Sequence, residues 1–189
     1  RKSEFVDAKS GVSARLTISA YENLIAAAER RSIINNEKNT LIRISDFIGV
    51  IPSITGKVEL VYEGQQEGPG IVAQNLVGKA LRTQFLNYFP DPEKYRKQKE
   101  KSPYKKITDW FGDGHTLDLL HDMSNPDYEK TLRSVPGLAD VVNEFQKEKD
   151  AGLKLFFMEF ALHGFPVAKT GMIIVAGIFV AKPAIVQHK

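Results

Sequence analysis

The chain has 189 residues, 26 of them basic and 23 acidic, for a formal charge of +3, and it contains no cysteine. That length can bury one good hydrophobic core or two small ones, and 42% hydrophobic with 26% charged residues is ordinary for a soluble domain. Without cysteine, disulfide scaffolds, thiol nucleophiles and cysteine-ligated zinc are excluded; residues 1–10 are charged and lack the apolar stretch of a signal peptide.

Residues 1–10 read as a polar lead-in. Arg15 stands in a short loop ahead of a helix predicted over 20–34, with Ser19 and Glu22 at the spacing of a capping box. Tyr21, Leu24, Ile25 and Ala28 follow the i, i+3, i+4, i+7 rhythm of one buried face. Asn35 and Asn36 should stop the helix, because asparagine accepts left-handed backbone. An arginine fork near a helix start suits a phosphate, since its planar donors match phosphate oxygens; a surface arginine paired with a nearby acid fits the same spacing. Residues 40–44 read as an extended connector. Ser45 caps a second helix to Ile54, with Ile44 as hydrophobic staple and Asp46 at the positive end of the helix dipole. Pro52 should kink that helix and Gly56 stop it. Gly64, Gly68, Pro69 and Gly70 punctuate a turn.

A long helix is predicted over 71–89, on the apolar stripe Ile71, Val72, Leu76, Ala80, Leu81 and Phe85. Lys79 and Arg82 fall off that stripe toward solvent, and Pro90-Asp91-Pro92 ends the helix. Lys94, Arg96, Lys97, Lys99, Lys101, Lys105 and Lys106 then crowd together, with Tyr95 and Tyr104 interleaved. Pro90, Pro92 and Pro103 favour a solvated linker held extended by its own charge; a nucleic-acid patch is the alternative.

Residues 107–111 open a second module, with Trp110 and Phe111 as core anchors, and Gly112-Asp113-Gly114 turns the chain. Leu117, Leu119 and Leu120 begin a helix that Asn125-Pro126 closes, and 128–134 is another helical turn. Pro136 sits in the first turn of a helix over 137–149, which Asp150-Ala151-Gly152 breaks before a final helix over 153–163. On a helix, His115, Asp118 and Asp122 would share one face near His121. Leucines wrap so much of that segment that its polar side reads as the solvent face, and no metal site is assigned. His163 has no serine or cysteine in a recognisable word beside it, so no catalytic triad is nominated. The apolar run of ten from Met172 to Ala181 is shorter than the ~20 residues of a membrane span and reads locally as a buried strand. The tail is expected to be an altered end, an aggregation hazard without function.

Several words, taken in order, resemble the lid region of an AAA+ ATPase of the MoxR and magnesium chelatase subunit I-like family. They are Ser10-Gly11-Val12-Ser13-Ala14-Arg15, then Glu22-Asn23-Leu24 with Ala28-Glu29-Arg30-Arg31. Pro52-Ser53-Ile54-Thr55-Gly56-Lys57-Val58-Glu59-Leu60 and Tyr62-Glu63-Gly64-Gln65-Gln66-Glu67-Gly68-Pro69 continue the series. The likeness is close over the first half of the chain and looser to Gly164. It implies a mainly α fold: a helical lid bundle over 1–62, a connecting helix over 63–90, the basic linker over 91–106 and a C-terminal helical module over 107–165. An atypical apolar tail over 166–189 is the place left for a short C-terminal strand.

The resemblance further implies that Arg15 is the second sensor, touching the ATP γ-phosphate and coupling hydrolysis to lid motion, and that Arg30 or Arg31 contributes to subunit contacts. The parent protein would form a homo-oligomeric ring, use ATP and Mg²⁺, and work beside a partner carrying a von Willebrand factor A domain, remodelling it or inserting a metal. The motor itself is missing from this sequence. It has no Gly-x4-Gly-Lys-Ser/Thr; Gly78-Lys79-Ala80 lacks the upstream glycine and the hydroxyl for Mg²⁺, and no strand ends in paired acids. The chain, which begins at Arg1, is therefore expected to be the C-terminal part of such an ATPase: cytoplasmic, without membrane or nucleic-acid partner, binding no cofactor and hydrolysing no ATP alone. A helical adaptor docking nucleic acid through 94–106 is the alternative.

Overall fold

The first helix starts four residues before the serine of its capping signal. In the computed structural model, which describes residues 4–7, 9, 12 and 14–164, α1 runs Arg15–Ile34. Arg15 is thus its first residue and not part of a preceding loop. No glycine or proline lies between Val12 and Ser19 to hold the helix back, so it extends through the serine. The Ser19 hydroxyl instead accepts a hydrogen bond from Lys57 Nζ at 2.8 Å. Asn36, at φ +52°, ends the helix as its residue type suggests. The buried face is also rotated from expectation. Tyr21 is 63% exposed, while Leu24 and Ile25 are half-buried and Ala28 and Arg31 are buried.

An extended connector leads to a 3-10 helix, Ile44–Val50, which passes directly into α2 (Ile51–Ile54) with Pro52 in its first turn. The tight 3-10 winding takes the place of the single α-helix expected from Ser45. Helix α1 lies against both, and Gly49 lets it come close: a Cβ there would stand 3.0 Å from Ala27 Cβ and from the Asn23 carbonyl. Gly64 belongs to a short helix, α3 (Tyr62–Glu67), and is buried beneath the N-terminal segment, where a Cβ would sit 2.6 Å from the Phe5 carbonyl oxygen. That segment is tied down by an antiparallel bridge between Val6 and Leu60. Gly68, at φ +101°, then separates α3 from α4 (Pro69–Phe85).

The basic stretch is wound rather than extended. Two 3-10 turns, Pro92–Tyr95 and Lys99–Lys101, precede α5 (Lys105–Gly112). Residues 113–124 are non-helical, so Leu117 and Leu119 reach the core from a loop while Leu120 stays 53% exposed. Asn125-Pro126 opens a helix instead of closing one. Ser124 Oγ caps α6 (Asn125–Arg133) and Pro126 occupies its first turn, where a missing N–H costs nothing. Gly137 precedes α7 (Leu138–Phe145), and Asp150 caps α8 (Ala151–His163) by accepting Leu153 N–H at 2.8 Å.

Helix α8 is the hub: it packs on α4, α6, α7 and the 3-10 helix Ile44–Val50. Its last six residues, Met158 to His163, are all buried, so its C-terminal half is enclosed on every side. Phe85, Phe89 and Phe160 form an aromatic centre with ring centroids 5.3–6.2 Å apart, within the range of favourable ring packing. One apolar cluster draws on residues from Ile44 to Leu162. The fold of the described residues is mainly α, and among them no helix is long and apolar enough to cross a membrane. The 171–186 run lies outside the described residues.

Candidate functional site

Helix α1 has two chemically distinct ends. At its head, Arg15 is exposed, the preceding Ala14 offers no side-chain cap, and no acidic residue stands in the first turn. Helix dipole and guanidinium therefore add in one place, a setting that favours an anion. At 1.5 Å per residue, twenty residues carry that head ~30 Å from the tail.

The tail is locked inside the fold by a polar network. Arg31, 1% exposed, donates from Nη2 to Asp46 Oδ2 at 2.9 Å and to the Leu41 carbonyl at 2.7 Å, and from Nε to Asp46 Oδ1 at 3.3 Å. Asp46 Oδ2 also accepts the Arg43 N–H at 2.7 Å, closing the start of the 3-10 helix. The Arg43 guanidinium lies 3.9 Å from the Tyr128 ring centroid and donates to the Met123 carbonyl and Asn125 Oδ1 at 2.7 and 2.6 Å. Glu159, from the hub helix, completes the chain. Its Oε2 accepts Ile44 N–H and Tyr128 O–H, each at 2.7 Å, and its Oε1 accepts Ser45 N–H at 2.9 Å. A carboxylate 115 residues away in sequence thus caps the two N–H groups that open the 3-10 helix.

Burial shapes the ionisation of this network. It pushes the Glu159 carboxyl and the Tyr128 hydroxyl up, Tyr128 further because Glu159 stands beside it, and it lowers Arg43, with Arg31 adding repulsion. Two arginines face two carboxylates, so the buried group is charge-balanced and nearly every member is hydrogen-bonded, the condition for tolerating charge in a core. A cleft of about 560 Å³ opens beside it, walled by Arg43, Asn125, Tyr128, Leu155 and Phe156 among others.

The structure divides the sequence-derived site residues. Arg15 and Arg30 are exposed, but Arg31 is not available to a neighbouring subunit. It pairs with Asp46 inside the fold, which leaves Arg30 as the exposed one of the two. His115, Asp118 and Asp122 share no helical face, because their segment is a loop; His115 stacks on Trp110 with ring centroids 4.7 Å apart. Among the described residues, no three His, Cys, Asp or Glu side chains converge as metal ligands do. Sequence reasoning missed Arg43, Tyr128 and Glu159. Two of them carried a signal: a lone arginine in Leu41-Ile42-Arg43-Ile44 and a lone acid in Phe156-Phe157-Met158-Glu159-Phe160, where a charge within an apolar run requires a buried partner.

No protein-family model, curated protein or solved structure matches the chain.

Proposed function

We propose that this chain is the nucleotide-sensing lid and helical extension of an AAA+ ATPase of the MoxR and magnesium chelatase subunit I-like type. The observation that carries the reading is the position of Arg15: exposed, on the first turn of a 20-residue helix whose other end is bonded into the core through Arg31 and Asp46. An arginine so mounted can report a phosphate's presence to a rigid body, because a displacement of the α1 head moves the 3-10 helix and, through Glu159, the hub helix with it. Arg15 fits one contact to an ATP phosphate. In this reading hydrolysis belongs to a P-loop module outside this sequence, where ATP and Mg²⁺ would be held. In this reading the parent is a cytoplasmic ring, Arg30 remains a candidate for subunit contact, and a von Willebrand factor A protein is the partner remodelled or loaded with metal.

The test uses the complete protein with its P-loop. Arg15→Ala should lower ATP turnover by ~10²-fold, the order supplied by one preorganised charge donor, while nucleotide affinity changes little; Arg15→Lys should recover part of the loss. Unchanged turnover in Arg15→Ala removes the sensor assignment.

A further inference from the structure

The basic stretch between α4 and α5 has a structure that a linker does not need. Its backbone closes on itself through successive i+3 hydrogen bonds: Lys94 N–H to Asp91 O, Arg96 to Glu93, Gln98 to Tyr95, Lys101 to Gln98 and Ser102 to Lys99, at 2.9–3.2 Å. Both ends are pinned. Phe89, 3% exposed, stacks on Phe85 at one end; at the other, Tyr104 is fully buried and its hydroxyl donates to the Pro90 carbonyl at 2.7 Å. The stretch is therefore a fixed arc on the surface, and a ligand binding it would not meet the entropy cost of ordering a flexible tether.

The charge on this arc is unevenly committed. Arg96 is drawn to Glu93, Lys105 to Glu100 and Asp109, and Lys106 to Asp140. Lys94, Lys97, Lys99 and Lys101 are all exposed and make no ion pair among the described residues. From Pro92 to Lys106 seven cations meet two acids, a larger local excess than the +3 of the whole chain. The four lysines lie within the eight residues 94–101 of this wound backbone, and a duplex offers them one phosphate every ~3.4 Å of helix axis along each strand.

We infer that this arc is a docking surface for the phosphate backbone of a nucleic-acid duplex. Lysines are point charges without the planar fork that reads base edges, so the contact is to backbone and independent of sequence. A single strand is a poorer fit, because it needs several exposed rings for successive bases to stack on: Tyr104 is buried, Tyr95 is half-buried, and Tyr88, though exposed at one side, already packs on Phe157 and Phe160. The inference does not depend on the ATPase reading.

Fluorescence anisotropy of the full chain with a labelled ~20-base-pair duplex tests it. Four phosphate contacts predict a log–log salt slope of about −3.6, which weakens binding about 150-fold between ~50 and ~200 mM salt. The combined variant Lys94→Gln, Lys97→Gln, Lys99→Gln, Lys101→Gln should flatten that slope while retaining the wild-type helical circular dichroism. Lys38→Gln with Lys130→Gln, two exposed lysines elsewhere, should leave it unchanged. Absence of duplex binding at ~50 mM salt overturns the inference, as does a four-lysine variant that binds like wild type. Binding to anionic phospholipid vesicles without binding to the duplex also overturns it, assigning the arc to a membrane surface.

Discussion

Replacing Glu159 by glutamine keeps the size of the side chain and removes one acceptor end. The carboxylate takes two donors on Oε2, from Ile44 and Tyr128, and one on Oε1, from Ser45. The best orientation of the amide keeps its oxygen on the two-donor side and turns its NH₂ toward the Ser45 N–H, donor against donor. Ser45 is 5% exposed, so its N–H has no ready access to water, and an orphaned buried N–H costs ~1–3 kcal/mol. The two surviving bonds lose their charge assistance, about 1 kcal/mol each. Relief of the desolvated negative charge, the same effect that raises the Glu159 pKa, returns part of this. The net expectation is a loss of ~2–4 kcal/mol, a large share of the ~5–15 kcal/mol that stabilises a typical domain. Urea titration followed by Trp110 fluorescence and far-ultraviolet circular dichroism measures it, with the denaturant slope unchanged. Tyr128→Phe, which removes a single donor, should cost about 1 kcal/mol in the same assay. A loss below ~0.5 kcal/mol for Glu159→Gln, or a larger loss for Tyr128→Phe, refutes the view that Glu159 caps the 3-10 helix as an ion.

Three other outcomes follow from the structure. Asp46→Ala leaves the Arg31 guanidinium buried without its counter-ion and should cost ~3–5 kcal/mol, whereas Arg31→Met combined with Asp46→Leu should recover part of that in the same urea titration, the Arg43 N–H still lacking its Asp46 acceptor. Burial, reinforced by Arg82, holds the His163 imidazole at about 4 against an ordinary 6.5. The folded chain then binds fewer protons than the unfolded chain between those values, so stability present above pH 6.5 is lost as pH falls toward 4; at pH 5 the loss is about 2 kcal/mol, and His163→Gln should abolish this component. Gly137, at φ +78°, has Lys106 Cβ 2.8 Å from where its own Cβ would be, so Gly137→Ala should lower stability by ~1–3 kcal/mol, measurable as a drop in Tm.

Local patterns in the sequence located the helices better than their ends. The apolar periodicity of α4 and the density of α8 were legible because each depends on neighbours within a few positions. The ends were misread where one residue type can either stop or start a helix. Asn125-Pro126 and Asp150-Ala151-Gly152 resemble breaks, yet Ser124 and Asp150 act as N-terminal caps, and the helix lies on their far side. Leucines at 117, 119 and 120 suggested a helix, but Leu117 and Leu119 are drawn to the core from a loop, a tertiary preference that no window of eight residues contains. Arg15 was visible as a candidate through its word and its proximity to a helix start. The polar anchor was not, since Arg43 meets Asn125 across 82 positions and Glu159 meets Ile44 across 115.

That last separation has a consequence for how the chain is made. The opening N–H groups of the 3-10 helix at Ile44–Val50 find their protein partner only when Glu159 arrives, so during synthesis the first half of the chain waits for more than a hundred residues with that end hydrogen-bonded to water. Folding of the two halves is thereby joined into one late, cooperative event with a high loop-closure cost, and slow closure of distant contacts is the expected rate-limiting step. Truncation before α8 should leave α1 with helical content but without a settled resting place, a species exposed to proteolysis and aggregation while it waits.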